Sequence, residues 1–296
     1  MRRGTLARLA RDVVALLTVA VFMFPIFWWV LASFKPYTAI FNNYPIYFDF
    51  TPTLDNYKVT LLGYSRTAFI EHGTGVGGAT GGGNSYYAIP SIIDSTVVAL
   101  CSTAIAVTLA TLAAYALSRM RFRGQQDFVF WVLAQRMMPP IAVAIPLFFI
   151  FRNLGLRDTL TGLILAHTLI NLPLAVLLLK SFMDDVPVSL DEAAMIDGAS
   201  RLACFTRVVL PLVKGGLAAT AVLCFIFSWT EFLISLQLTT SIRTIPVKIS
   251  TFVTSTGTEW GFITALGSAA LVPSFIFILL VQRHLVRGLT LGSLKD

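Results

Sequence analysis

The sequence predicts an all-α protein that crosses a membrane six times. Three observations carry this. The 296 residues are 56% hydrophobic and only 12% charged, with a mean hydropathy of +0.78. A soluble domain carries about twice that share of charge. Six apolar runs approach or exceed the length that a bilayer core requires, about 20 residues of helix. Lysine and arginine gather at the same side of successive runs, which is the signature of a fixed orientation.

The elements follow in order. Residues 1–12 form a short N-terminal segment, and residues 13–296 are read as a single transmembrane domain. The first span covers 13–34, with no charge between Asp12 and Lys35. It is too long, and lacks the small-residue cleavage site, for a removable signal peptide, so it is read as retained. A long external loop, 35–90, follows. Its segment EHGTGVGGATGGGN (71–84) is not a phosphate loop, because no G-K-[ST] follows. Two readings stand for it: a flexible insertion, or a contact surface for an external protein.

The second span covers 92–118, with no charge between Asp94 and Arg119. The third covers 128–150 and the fourth 160–181. A polar segment, 182–212, separates the fourth from the fifth, 213–237, and the sixth covers 261–283. Pro25, Pro139, Pro140, Pro146, Pro173 and Pro273 fall in spans and would kink them. Such kinks suit a gated path and a static bundle equally. Gly261, Gly267, Ser268, Ala269 and Ala270 allow close helix packing near the sixth span.

Charge sets the orientation. Arg2, Arg3, Arg8, Arg11, Arg119, Arg121, Arg123, Lys180, Arg201, Arg207, Lys214, Arg283, Arg287 and Lys295 share one side if both termini do. The other side holds Lys35, Lys58, Arg66, Arg152, Arg157, Arg243 and Lys248, half as many. The positive-inside rule then places both termini and segment 182–212 in the cytoplasm. The net charge of +7 follows from this asymmetry. A nucleic-acid reading would need an exposed basic face with aromatics, and none is present. Cys101, Cys204 and Cys224 have no CxxC or histidine partner at metal spacing and read as small apolar fillers.

Segment 182–212 contains SLDEAAMIDGASRLACFTRVVLPL (189–212). Ser189 and Glu192 fit a capping box. Asp191 and Glu192 suit the positive end of a helix dipole. Leu190, Ala193, Ala194 and Asp197 share one narrow face of mainly small residues. Gly198 can take the left-handed conformation that stops the helix. A second short helix would run from Ser200 to Val209, with Pro211 in the first turn of the next. An ordinary amphipathic connector would satisfy the capping box alone.

The spacing Glu192-Ala193-Ala194, three residues, Gly198, nine residues, Val208-x-Leu210-Pro211 resembles the EAA loop of bacterial ABC importer permeases, with valine where isoleucine is usual. Other segments extend the resemblance. Tyr115 with ALSRMRFRG (116–124), SFKP (33–36), FSWTEFLISL (227–236) and QRHLVRGLTLGSLKD (282–296) are similar to segments of carbohydrate permeases of the MalG-like branch. Thr230 stands where those proteins carry asparagine. The resemblance implies a type I ABC importer permease fold of six transmembrane helices, with cytoplasmic coupling helices. It implies a second permease chain, an ABC ATPase dimer that carries ATP and Mg, and an external solute-binding protein. No cofactor is implied on this chain. Glu192, Ala193, Ala194, Asp197, Gly198, Leu210 and Pro211 would dock on the ATPase. The external loop at 238–260 would contact the binding protein.

Arg136 and Glu231 are the strongly charged residues at predicted membrane depth, where insertion costs about 2.5–3.5 kcal/mol each. Either they pair, or they line a polar path. Gln135, His167 and Asn171 join them as pathway candidates. Asn171 precedes Leu172-Pro173 and could satisfy backbone groups opened by that kink. Trp28, Trp29 and Trp229 read as interfacial or packing residues. A same-fold permease for another solute is the first rival. An ion-coupled transporter, with no need of a docking loop and often built from repeats, is the second. A membrane enzyme finds no catalytic constellation here.

Overall fold

The computed structural model describes residues 2–42, 44, 46–64, 86–254 and 257–291. The glycine-rich segment 71–84 and the last five residues of the C-terminal motif lie outside them. Along the chain come α1 (Arg2–Ser33), α2 (Tyr37–Ile40), α3 (Asp55–Leu62), α4 (Ile89–Arg119), α5 (Gln125–Met137) and α6 (Pro140–Asn153). Then come α7 (Leu160–Asp184), α8 (Val188–Ile196), α9 (Arg201–Ala203), a π-helical turn (Cys204–Val209) and α10 (Leu210–Leu212). The remainder is α11 (Lys214–Trp229), α12 (Leu233–Leu238), α13 (Ile245–Ser250), a two-stranded antiparallel hairpin of β1 (Val253–Thr254) and β2 (Gly257–Thr258), and α14 (Trp260–Leu291).

Among the described residues four helices are long and apolar enough to cross a membrane: Arg11–Ser33 within α1, α4, α7 and Trp260–Gln282 within α14. The expected third and fifth spans are not continuous helices. The third breaks at Met138-Pro139, where α5 and α6 meet with a 99° bend. Pro140 lacks an amide hydrogen and so begins a helix well but cannot continue one. The fifth stops at Trp229 and resumes only at Leu233, and α11 is itself bent by 75° from the stretch Arg201–Leu212. Counting each bent pair as one span gives six.

The described residues group into two compact units. One takes Met1–Ile89 with Lys248–Leu271. Its polar anchor is Asn56, whose Nδ2 donates to the carbonyls of Ser33 (2.9 Å) and Lys35 (3.0 Å), groups left open where α1 ends. Ser33 Oγ also meets Tyr57 OH at 2.6 Å. The small residues predicted for the last span serve close packing here. A Cβ on Gly267 would sit 2.6 Å from Trp29 Nε1, and one on Gly261 would sit 2.4 Å from Asn56 Oδ1.

The other unit takes Pro90–Val247 with Val272–Asp296. It holds two apolar clusters. Val98, Ala144, Phe151, Leu163, Ala166, Ile234 and Leu238 form one. Ala110, Ala114, Leu117, Val132, Ala175, Leu179, Met183, Phe205, Val209 and Cys224 belong to the other. Between these clusters α4 buries Ser102 and Thr103, and α7 buries His167, Thr168 and Asn171. These polar groups form a layer between the two apolar clusters.

Candidate functional site

The polar layer is built from α4, α7, α11 and α12. His167 is 1% exposed. Its Nδ1 lies 2.6 Å from Ser228 Oγ, and its Nε2 lies 3.0 Å from Ser235 Oγ. Ser228 Oγ meets Ser102 Oγ at 3.1 Å. Ser235 Oγ donates to Glu231 Oε2 at 2.8 Å, so its lone pairs are left to accept from His167 Nε2–H. Glu231 also accepts from the N–H of Ile234 (2.7 Å) and Ser235 (2.9 Å), the open donors at the start of α12. That explains the break in the expected fifth span: a carboxylate at this position satisfies a new helix start better than it would tolerate a helix interior.

Of the pathway candidates, the structure brings His167, Asn171 and Glu231 into this layer. Asn171 Nδ2 donates to the Cys224 carbonyl on α11 at 3.2 Å, and its Oδ1 is buried without a partner. It therefore bridges two helices; the expected bond to backbone freed by Pro173 is not the one it makes. Gln135 and Arg136 lie apart, at the end of α5. Gln135 is half-buried, and Arg136 is exposed with its guanidinium 5.4 Å from the Phe227 ring. The ion pair of Arg136 with Glu231 does not form: Glu231 turns to Ser235 and to His167 Nε2, 3.5 Å away.

The coupling-loop candidates sit on a second arrangement. Helix α8 begins after Pro187 with no side-chain cap, so Ser189 lies inside the first turn and the expected Ser189–Glu192 capping box is not made. Proline's fixed φ and missing donor do that work. Gly198 does end the helix as predicted, with φ of 88°. Its N–H and that of Ala199 return to the carbonyls of Met195 (3.1 Å) and Ala194 (2.9 Å). Ser200 Oγ accepts from Ala203 N–H at 3.3 Å and starts α9. Pro211 falls in the first turn of α10, and half-buried Leu210 packs against the larger apolar cluster.

The loop has two faces. Asp191, Cys204, Phe205 and Val209 are buried. Glu192, Ala193, Asp197, Gly198 and Pro211 are exposed and Ala194 is half-buried. Large apolar groups join the open face, with Ile196 86% and Leu202 69% exposed. Apolar groups so displayed mark a surface made to be covered.

Sequence reasoning missed what holds the buried face. Arg119 reads as one of the positive charges that set the orientation, yet its side chain is buried. Its Nε donates to Asp191 Oδ2, Nη1 to the Met183 carbonyl (3.1 Å), and Nη2 to the Val186 carbonyl (2.8 Å). The Tyr115 ring lies 4.8 Å from that of Phe205. No local signal links positions 119 and 191; Asp191 was visible only as a first-turn acid.

A third cluster ties down the segment after α12. Asp158, at φ of 57°, accepts from the N–H of Thr240 (2.9 Å), Ser241 (3.0 Å) and Ile242 (3.1 Å). It also accepts from the hydroxyls of Thr240 (2.9 Å) and Ser241 (2.6 Å). Burial pushes its carboxyl up, but these hydrogen bonds prevail and hold it well below the usual carboxylate range.

Comparison with known proteins places these arrangements. The family described as "Binding-protein-dependent transport system inner membrane component" matches residues 106–291, which include segment 182–212 and all of the polar layer but Ser102. The chain is 34% identical over 283 residues to the trehalose transport system permease protein SugB of Mycobacterium tuberculosis (strain CDC 1551 / Oshkosh), covering 94% of each chain. It is 33% identical over 298 residues to the trehalose/maltose transport system permease protein MalG of Thermococcus litoralis (strain ATCC 51850 / DSM 5473 / JCM 8560 / NS-C), covering 100% of this chain and 99% of that one. Its fold is similar to that in the crystal structure of a bacterial ABC transporter involved in the import of the acidic polysaccharide alginate. The TM-score there is 0.66 at 20% identity, over 96% of this chain and 98% of that one. The chain belongs to the binding-protein-dependent transport system inner membrane component family, and is a multi-pass permease subunit of an ABC importer rather than an enzyme.

Proposed function

We propose that this chain forms half of the translocation path for a sugar or polyol and receives the power stroke of a partner ATPase through residues 182–212. The carrying observation is the two-faced loop, packed on Asp191, Phe205 and Val209 and open at Glu192, Ala193, Ile196 and Leu202. A buried face lets the loop transmit force to the bundle, and an open apolar face gives it something to receive force from. Ala193 and Ala194 keep that face shallow; Gly198, Leu210 and Pro211 set its turns. The partners in this reading are a second permease chain in a heterodimer, an ATPase dimer holding ATP and Mg, and an external solute-binding protein.

The sugar class rests on the transport functions of the two relatives, trehalose and trehalose/maltose. Orientation rests on the arginines and lysines, which put both termini and the coupling loop in the cytoplasm. The external loop over 238–260 then faces the binding protein, held at its start by Asp158. The polar layer of His167, Asn171 and Glu231 supplies the groups that hydroxyl-rich solutes meet at membrane depth, with Gln135 and Arg136 set apart from it at the end of α5.

The test is the ATPase activity of the reconstituted complex. This chain is combined with its neighbouring permease, ATPase and binding protein, and candidate sugars and polyols are titrated. Stimulation by a loaded binding protein, lost in Gly198→Asp and Glu192→Lys, is the expected result. Failure of any ATPase to associate, or variants equal to wild type, would overturn the coupling role. Stimulation by a different solute class would overturn the sugar assignment alone.

A further inference from the structure

We propose that Arg119 and Asp191 are positioning residues, a buried latch that makes α8 and the C-terminal end of α4 move as one body. The inference rests on the coupling role proposed for 182–212. Four segments meet at one guanidinium: α4, which carries it; the end of α7, through the Met183 carbonyl; the α7–α8 turn, through the Val186 carbonyl; and α8, through Asp191. The side chains are 5% and 4% exposed, so water does not compete for the pair.

The other contacts of the loop cannot do this alone. Tyr115 meets the Phe205 ring and donates one long, exposed hydrogen bond to the Arg201 carbonyl at 3.4 Å, and Cys204 Sγ to the Asp191 carbonyl is long at 3.8 Å. A planar guanidinium donating to three fixed acceptors breaks if any of them shifts. Asp191 Oδ1 is buried with no donor of its own, so Arg119 is what holds this carboxylate. Losing either partner would leave the other as an unpaired buried charge. The open face of α8 would then no longer be fixed to the bundle that it has to move.

The test uses the full complex with spin labels at two exposed positions, Met120→Cys and Ser189→Cys, in a chain carrying Cys101→Ser, Cys204→Ala and Cys224→Ala. With the latch intact, the label-to-label distance should be single and narrow, and the same without nucleotide and in the vanadate-trapped state. In Asp191→Asn it should split or shift between the two states. The ratio of solute-stimulated to unstimulated ATPase should fall about tenfold, within the range of coupling effects. Arg119→Lys should keep part of that ratio, since it retains the charge but not the fork.

If the single variants fail to assemble, Arg119→Met with Asp191→Leu removes both charges together. That double variant should assemble and remain uncoupled. Wild-type coupling and an invariant distance in the assembled variants would overturn the latch and leave the coupling role standing. Absence of ATPase association in the unmutated chain would instead sink the coupling role itself.

Discussion

Oε2 of Glu231 lies 3.5 Å from Nε2 of His167, at the gap between α11 and α12. The same carboxylate takes the N–H groups of Ile234 and Ser235 and the hydroxyl of Ser235. One side chain thus starts a helix and closes a hydrogen-bonded row running back through His167 and Ser228 to Ser102. A carboxylate has enough lone pairs for all of these roles, and a carboxamide does not.

Glu231→Gln should therefore destabilise the protein by about 1–3 kcal/mol, the cost of a buried donor left unmatched. The amide's NH2 would face the Ser235 N–H in one orientation or that of Ile234 in the other. Trp229, stacked on Phe225 at 5.4 Å beside the gap, offers a local fluorescence reporter. Thermal unfolding of the purified complex followed at that signal gives the measurement. A melting curve equal to wild type would mean that the carboxylate is not what caps α12.

Gly198 in the loop and Gly216 in α11 should fail for different reasons. At Gly198 nothing lies within 4 Å of an added Cβ, but φ is 88°. Gly198→Ala should cost about 1–2 kcal/mol of backbone strain, and Gly198→Asn should cost less because asparagine tolerates that region. Gly216 has ordinary backbone, yet a Cβ there would sit 2.4 Å from Phe182 Cγ. Gly216→Ala should push α11 off α7, and Phe182→Ala should rescue it in part. Unfolding of these variants decides this; rescue of Gly198→Ala by Phe182→Ala would contradict it.

The parts of this structure that were legible in the sequence are those set by local chemistry. Apolar length marked α1, α4, α7 and α14, and the spacing around Glu192 and Gly198 marked a helix, a left-handed stop and a second helix. The Pro139-Pro140 pair was visible, but its result, a 99° bend where a kink was expected, depends on the geometry of both flanking helices. Glu231 was seen as costly; that it would end a helix depends on donors brought to it by α12. Arg119 with Asp191, and Asp158 with Thr240–Ile242, join distant chain segments. Such pairs leave no periodicity and no local spacing to read.

The Asp158 clamp has a definite pH dependence. Its folded carboxyl titrates well below the usual range. A depressed value contributes stability that is complete above the unfolded pKa of about 3.9 and is lost as pH falls through the folded one. The clamp should therefore be unchanged between pH 7 and pH 5 and fail only in stronger acid. Hydrogen exchange at the amides of Thr240, Ser241 and Ile242, corrected for intrinsic rates, should show equal protection at those two pH values. Asp158→Asn should speed that exchange about tenfold or more, since two or three amide donors lose a charged acceptor.

Lys35 should show a slope of the same sign in an alkaline window. It is buried, donates to the Ile46 carbonyl at 2.6 Å, and lies 4.4 Å from the Trp28 ring centroid. Among the described residues no carboxylate pairs with it. Burial pushes its ammonium pKa down. Between that lowered value and the unfolded value of about 10.4 the unfolded chain binds more protons, so stability rises with pH across the window. Below the window the full desolvation cost remains, offset by the carbonyl and by a cation–π contact of about 0.5–2 kcal/mol. Lys35→Met keeps the stem and drops both the cost and the contacts, so at pH 7 it should lie within about 1 kcal/mol of wild type. Melting temperatures at pH 7 and about pH 10.5, just past the unfolded value, separate the two chains: wild type should gain relative to Lys35→Met as pH rises. A constant difference would show that the ammonium is hydrated as well in the folded protein as in the unfolded chain.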